Sequence, residues 1–419
     1  MPGRNRIRET QNVLQTGNGR TSGAKRWALA LTLGAGLGLS GCTGSTTGVY
    51  PQFDGRGPTQ AAPSGDVLGN GSVRVALLLP KSATANAGEI ATVFRNAAEL
   101  AMNDFQGADI QVLVKDTGGT AEGGRAAAQQ AISEGAELIL GPVFSPAVSG
   151  AGQAARTAGV PVVAFSSDAS AAARGVYLLS FMPQQDTARV ISYASSQGRR
   201  SFAALIPDNG YGAVVEAAFR QSVGRAGGRI VAIERYKVDA ARGVDSADLQ
   251  AKTNTIAEAA KQADAIFLPD GGSVPGYIAQ ILSAKGIGRD KVTFLGSGQW
   301  DNTQVLNEPA LAGGLYPAPV KPGFTAFAQR YQAAYGSAPP RNATLAYDAT
   351  RLAAGLVSNA GPRRFATGVL TNRDGFLGVD GVFRFNSDGT NERGLAIYEA
   401  TGSGSRLVDP APQAFPVGS

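Results

Sequence analysis

Apolar and polar positions follow two rhythms along most of this chain. The run Val73-Arg74-Val75-Ala76-Leu77-Leu78-Leu79, bounded by Pro80, predicts a short strand. Residues 88–104 then place Ile90, Val93, Phe94, Ala97, Leu100 and Ala101 at helical spacing. Strand-like runs recur at 110–115, 137–140, 161–165, 202–206, 229–235, 265–268 and 292–295. Between most of them lie Ala-rich helical stretches, near 121–134, 147–158, 212–226, 247–262 and 274–285. Strands alternating with helices predict parallel sheets covered on both faces, and nearly continuous apolar strands such as Ala265-Ile266-Phe267-Leu268 fit burial on both sides. About 340 structured residues exceed one ordinary core, so an α/β fold of two lobes is expected. Near the C-terminus the rhythm changes. Gly381-Val382-Phe383-Arg384-Phe385-Asn386 to Gly389, followed by Leu395-Ala396-Ile397-Tyr398, reads as a β-hairpin.

Residues 43–72 are rich in Gly, Ser, Thr and Pro and lack apolar periodicity, which predicts a flexible tether. As a coil it would span roughly 30 Å, and about 100 Å fully extended. Ahead of it, the apolar stretch Trp27 to Ser40 follows Lys25-Arg26. It is too short to span a bilayer as a helix and is the size of a signal-peptide core. The stretch ends in Leu39-Ser40-Gly41-Cys42, which resembles a bacterial lipobox. That resemblance implies cleavage before Cys42 and lipidation of its thiol. Residues 1–41 are thus expected to be a lipoprotein signal peptide, 42–72 the lipidated cysteine and tether, and 411–419 a tail.

The formal charge of +6 changes meaning once the leader is set aside. Residues 1–41 hold six of the 38 basic residues and one of the 32 acidic ones, leaving 32 against 31. A nucleic-acid partner loses its electrostatic basis. The chain has no histidine, which excludes a Ser-His-Asp triad, a Cys-His pair and histidine-ligated metal. Its only cysteine is Cys42, so no disulfide forms within the chain and no free thiol nucleophile remains. The only Ser-x-x-Lys spacing is Ser22-Gly23-Ala24-Lys25, inside the leader, and no Gly-Lys-Ser/Thr phosphate loop occurs. Neither an enzyme nor a cofactor or metal is expected.

A series of motifs then runs in order through the body. Phe94-Arg95-Asn96-Ala97-Ala98-Glu99-Leu100-Ala101 is followed by Lys115-Asp116-Thr117, Leu140-Gly141-Pro142-Val143-Phe144-Ser145 and Gly159-Val160-Pro161-Val162-Val163-Ala164-Phe165-Ser166-Ser167. Tyr211-Gly212, Tyr347-Asp348-Ala349 and Gly381-x-Phe-x-Phe come later. From about Val73 to about Asp409 the chain resembles a type I periplasmic binding protein of the leucine/isoleucine/valine-binding family. The resemblance implies two Rossmann-like lobes with parallel sheets, joined by three crossovers near 183, 314 and 372. Lobe one would be 73–183 and 315–372, lobe two 184–314 and 373–410, with the ligand in the cleft between them.

Ser145, Ser166 and Ser167 follow strands, where hydroxyls and free N–H groups at helix starts can cradle a carboxylate. The resemblance implies that use; helix capping alone explains the same residues, with Asp168 as an N-cap. The resemblance also implies an acid for a ligand ammonium soon after 292–295, but Gln299 stands there and Asp301 comes two residues late. Asp270 could substitute from the neighbouring strand end, or be only a turn residue before Gly271-Gly272. Tyr211 is either a cleft-lip contact or turn packing. Trp300 either lines the cleft or plugs the lobe edge.

Two functions share these features. One is a lipid-anchored solute-binding protein that takes an amino-acid-like ligand and delivers it to an ABC permease. The other is an envelope lipoprotein that activates a penicillin-binding protein. Leu268-Pro269-Asp270-Gly271-Gly272, Gly298-Gln299-Trp300-Asp301, Tyr331-Gln332-Ala333-Ala334-Tyr335-Gly336 and Val408-Asp409-Pro410-Ala411-Pro412 resemble the activator subgroup. The lack of a placed acid and the long tether fit it as well. Thr43 after the cysteine implies, by family rule, anchoring to the outer membrane from the periplasmic side, which suits an activator better than a permease partner.

Overall fold

The computed structural model describes residues 61–415 apart from 85, 106, 108 and 240. The expected signal peptide, the lipidation site Cys42, residues 42–60 of the tether and residues 416–419 lie outside the described residues.

The first half builds one sheet. Its elements are β1 (Asp66–Leu68), β2 (Val73–Leu79), α1 (Asn86–Asp104), β3 (Ile110–Asp116), α2 (Ala121–Ser133), β4 (Ala136–Leu140), α3 (Ser145–Ala158), β5 (Val162–Ala164) and β6 (Val176–Leu178). The strand order is β1-β3-β2-β4-β5-β6, parallel except for β1. Successive side chains of a strand point to opposite faces. Val75, Leu77 and Leu79 therefore enter one core with α1, while Ala76 and Leu78 enter another with α2 and α3. Small residues let α2 and α3 approach closely: a Cβ on Gly150 would lie 1.9 Å from the Ala121 carbonyl oxygen.

The chain then forms a second sheet from α4 (Pro183–Ser196), β7 (Ser201–Asp208), α5 (Gly210–Arg225), β8 (Arg229–Asp239), β9 (Gly243–Val244), α6 (Ser246–Ala260), β10 (Ala265–Phe267), α7 (Val274–Ala284), β11 (Thr293–Leu295), α8 (Thr303–Leu306) and β12 (Leu315–Ala318). Alternation again splits its core. Phe202, Ala204 and Ile206 pack with α4 and α5, and Ala203 and Leu205 with α6 and α7. The helices α9 (Lys321–Tyr335) and α10 (Ala343–Asn359) return to the first core through Phe327, Tyr331 and Tyr347, and α11 (Thr367–Leu370) adds Leu370. A small antiparallel sheet follows, from β13 (Phe376–Gly378), β14 (Gly381–Phe385) and β15 (Asn391–Arg393). Finally β16 (Ala396–Ala400) and β17 (Ser405–Asp409) complete an eight-stranded sheet ordered β17-β16-β12-β11-β10-β7-β8-β9.

Four expectations need correction. Residues 315–318 were expected in lobe one, but β12 lies between β11 and β16 in the second sheet. Pro317 disguises it, because proline argues against a central strand. Residues 373–393 were expected in lobe two, yet Phe383 and Phe385 belong to the first core, with the Phe385 ring 5.5 Å from that of Tyr177. The passages between sheets thus fall at 179–183, 319–320 and 394–395 rather than near 183, 314 and 372. The C-terminal hairpin exists, but its return strand is 391–393, while the run at 395–398 pairs with β12.

The fourth correction concerns the tether, which does not remain free through residue 72. β1 pairs antiparallel with β3, Asp66 takes a 2.9 Å ion pair from Arg95, and Ser64 Oγ donates to Glu134 at 2.7 Å. A three-residue strand among Gly and Ser leaves no periodic signal. Beneath Ser64, Lys115 and Glu134 form a 2.6 Å ion pair, each side chain 4% exposed. Lys115 also donates to the Ser64 carbonyl at 2.8 Å.

Because removing one partner of a buried pair strands the other charge, Lys115→Met is expected to cost about 3–5 kcal/mol. The double change Lys115→Met/Glu134→Leu should recover most of it. Urea unfolding of both variants measures the difference.

Candidate ligand-binding cleft

Crossovers place every parallel strand of a sheet in the same direction, so the turns after those strands gather at one edge. A cavity of about 450 Å³ lies there, lined by Ser167 after β5, Phe181 and Pro183 in the first passage, and Asp186 on α4. Tyr211 on α5, Gly298, Gln299 and Asp301 after β11, Ala318 at the end of β12 with Pro319 beyond it, and Arg341 before α10 complete the wall.

Four expected site residues meet in this cavity: Ser167, Tyr211, Gln299 and Asp301. Three do not line it. Ser166 is buried and its Oγ accepts from the Asp168 N–H at 3.2 Å. Ser145 opens α3 and hydrogen-bonds Asp168, whose carboxyl is held below its ordinary value chiefly by Ser170, with Ser145 adding to it. Asp270 accepts from Tyr236 Oη at 2.6 Å and from the Gly271 N–H at 2.8 Å. Burial, with Asp270 beside it, raises the Tyr236 hydroxyl well above its ordinary value.

Asp301 is in the cavity but already neutralised. Its carboxylate pairs with Lys321 at 2.7 Å and Arg341 at 3.3 Å, and accepts from Tyr316 Oη at 3.1 Å. Arg341 also holds the fully buried Asp380 at 2.5 Å, which accepts from Thr344 Oγ1. Since Asp301 follows β11 and Arg341 precedes α10, their ion pair ties the second sheet to the helices of the first.

Tyr211 Oη lies 3.0 Å from the Pro269 carbonyl and 3.1 Å from Ser297 Oγ, which itself donates to Pro269. Burial raises its hydroxyl to about 12, so it stays neutral. Trp300 is the plug: fully buried, with Nε1 donating to the Leu268 carbonyl at 2.9 Å.

Sequence reasoning missed Asp186 and Arg341. Asp186 Oδ2 accepts one hydrogen bond, from the Gly298 N–H at 3.0 Å, and burial pushes its carboxyl up to about 7. The signal for it was Pro183, which opens a helix at the first passage between sheets. For Arg341 the signal was its place directly after Pro339-Pro340.

The sequence matches the family described as periplasmic binding protein across residues 72–405. The chain belongs to the periplasmic binding protein family. Membership implies a periplasmic location and a binding rather than a catalytic role. Solved structures share the type I fold. A branched-chain amino acid ABC transporter protein from Rhodospirillum rubrum is 20% identical, with a TM-score of 0.70, over 80% of this chain and 99% of that one. The LivJ branched-chain amino acid binding protein from Streptococcus pneumoniae, in complex with isoleucine, is 19% identical, with a TM-score of 0.55, over 81% and 99%. A solute-binding protein from Rhodopseudomonas palustris, in complex with 3,4-dihydroxybenzoic acid, is 18% identical, with a TM-score of 0.58, over 81% and 98%. No curated protein matches the chain.

Trp300→Phe removes the indole donor and leaves the Leu268 carbonyl buried without it. A loss of about 1–3 kcal/mol is expected in chemical unfolding.

Proposed function

We propose that this periplasmic binding protein is the solute receptor of an ABC importer, closing on an amino acid or similar small solute and presenting it to a membrane permease. The observation that carries the reading is the cavity between the two sheets. Its volume of about 450 Å³ fits a small solute, and it combines hydroxyl, amide, carboxylate and guanidinium groups with apolar walls at Phe181, Pro183, Ala318 and Pro319. The ligands held by the Streptococcus pneumoniae and Rhodopseudomonas palustris proteins, isoleucine and 3,4-dihydroxybenzoic acid, support a small carboxylate-bearing solute here. In this reading Ser167 offers its hydroxyl to the carboxylate, while Tyr211 and Gln299 fix the solute's orientation. Three chain passages between the sheets supply the hinge. Anchoring through lipidated Cys42 is part of the same proposal.

The test is thermal unfolding of the mature chain against a panel of free amino acids, small aromatic acids and peptidoglycan fragments. A solute at a hundred times its dissociation constant contributes about 2.7 kcal/mol, enough to raise the midpoint by a few degrees. Ser167→Ala should then weaken the active solute by about 1.5–3 kcal/mol while the solute-free midpoint stays near that of the unaltered protein. A cleft silent to every solute would overturn the importer reading and favour the synthase activator, to be sought by pull-down. Cys42→Ala should move the protein from the membrane fraction to the soluble periplasm.

A further inference from the structure

We propose that residues 410–415 form a strap across the hinge, with the Phe415 ring as a releasable latch that biases the lobes toward the conformation in which Arg341 meets Asp301. The proposal goes beyond solute binding. It concerns how the two lobes are held against each other, whatever fills the cleft.

The strap starts from a firm hold on the second sheet. β17 pairs with β16, the Arg189 guanidinium on α4 pairs with Asp409, and Ala411 is buried in the second core. Beyond Ala411 the chain leaves that sheet. Pro412 lies on Gly394, where a Cβ would come within 3.0 Å of the Pro412 carbonyl oxygen. Gly394 belongs to the third passage between sheets, so the strap crosses at the hinge itself.

It arrives on the first lobe. In β14, Phe383 and Phe385 face the first core, so Arg384 between them points to the opposite face of the small sheet. The Phe415 ring covers that face, 4.5 Å from the Arg384 guanidinium. Arg384 is a fixed platform, since it is buried, pairs with Glu392 at 2.7 Å and donates to the Arg373 carbonyl at 3.3 Å. A Cβ on Gly375 would stand 2.9 Å from the Phe415 ring, so glycine is what lets the ring settle there. Gly375 precedes Phe376, which lies opposite Phe383, and Arg384 lies opposite Glu392, so the strap runs across all three strands. With strands about 4.8 Å apart, that crossing is about 10 Å, close to the reach of the three residues from Pro412 to Phe415. Little slack remains.

The hinge beneath the strap is cross-linked. Arg393 ends β15, is buried, and donates from Nε to the Ser180 carbonyl of the first passage at 3.1 Å. Asn391 Nδ2 donates to the same carbonyl at 2.9 Å, and Arg189 Nε donates to the Leu395 carbonyl at 2.8 Å. The first and third passages therefore turn together, with the strap running over them from one lobe to the other. Rotation of the lobes changes the separation of Ala411 and Gly375, and a taut strap answers by lifting Phe415 from Arg384. A cation–π contact is worth a factor of roughly 2–30 in an equilibrium, enough to bias the lobes and weak enough to release. Seating of Phe415 and the meeting of Arg341 with Asp301 then belong to one equilibrium, so a change at either place shifts the other.

The experiment measures the distance between two spin labels by pulsed electron resonance, in the solute-free mature chain carrying Cys42→Ser. The labels are attached at Thr157→Cys on α3 and Gln221→Cys on α5, both exposed positions, one on each lobe. Cys42 is the only native cysteine, so labelling is confined to these two sites. Phe415→Ala should lower the ratio of the dominant distance to the alternative by about threefold or more. Phe415→Tyr, which keeps an aromatic face, should retain the original ratio. The unfolding midpoint of Phe415→Ala should fall by no more than a few degrees, which separates release of the latch from loss of folding. Identical distance distributions with Phe415 and with Phe415→Ala overturn the proposal, as does a full shift in Phe415→Tyr. A midpoint lowered by tens of degrees would make Phe415 a core residue and overturn it as well. Each of these readings is taken without solute, so none of them bears on the importer reading, which the solute panel tests separately.

Discussion

Parallel pairing is the constraint from which the rest of this molecule follows. Two neighbouring strands that run the same way cannot be joined by a tight turn, so the chain must return along a helix each time. In both sheets this sends the turns after the parallel strands to one edge, and it is those turns that carry Ser167, Tyr211, Gln299 and Asp301. A site assembled from six separate stretches of chain needs no side chain to reach far. Four of those stretches need only that β5, β7, β11 and β12 end where they do.

Charge within the cleft is arranged so that most of it is already satisfied. Arg341 and Lys321 neutralise Asp301, and Arg341 also covers Asp380, which has no exposure to water. These contacts have a structural task, since Arg341 belongs to the helices over the first sheet and Asp301 to the second. A buried charge without a partner is costly, and Asp186 meets that cost by its raised proton affinity.

Much of the fold was legible in the sequence, for reasons visible in particular strands. Val73–Leu79 and Ala265–Phe267 are apolar on both faces because helices cover both faces, and the helical spacing from Ile90 to Ala101 matches the buried side of α1. What stayed hidden lacked that contrast. β1 is three residues long and is held by Arg95 and β3 rather than by its own apolar content. β12 contains a proline, and its contact with β11 is limited to the pairing of Leu315 with Leu295. Of the expected site residues, Ser167, Tyr211, Gln299 and Asp301 line the cavity, because the ends of the strands before them can be read from pattern. Ser145 and Ser166 showed the limit of that reading: a hydroxyl near a helix start serves Asp168 as readily as it could serve a ligand. Asp186 and Arg341 lie beyond strand logic, at the passages and ahead of a helix, where only the assembled structure brings them to the cavity.

The interleaving of the chain also has a consequence for its birth on the ribosome. The first sheet is complete once β6 has been made at Leu178, but one of its two faces is finished by Phe327, Tyr331, Tyr347, Phe383 and Phe385. Translation runs at about 5–20 residues per second, so that face waits roughly 10–40 s for its cover. During that interval the valines and leucines of that face have only α1 as cover. An exported chain can be kept unfolded through this period and released whole on the far side of the membrane, where both halves of the first core arrive together.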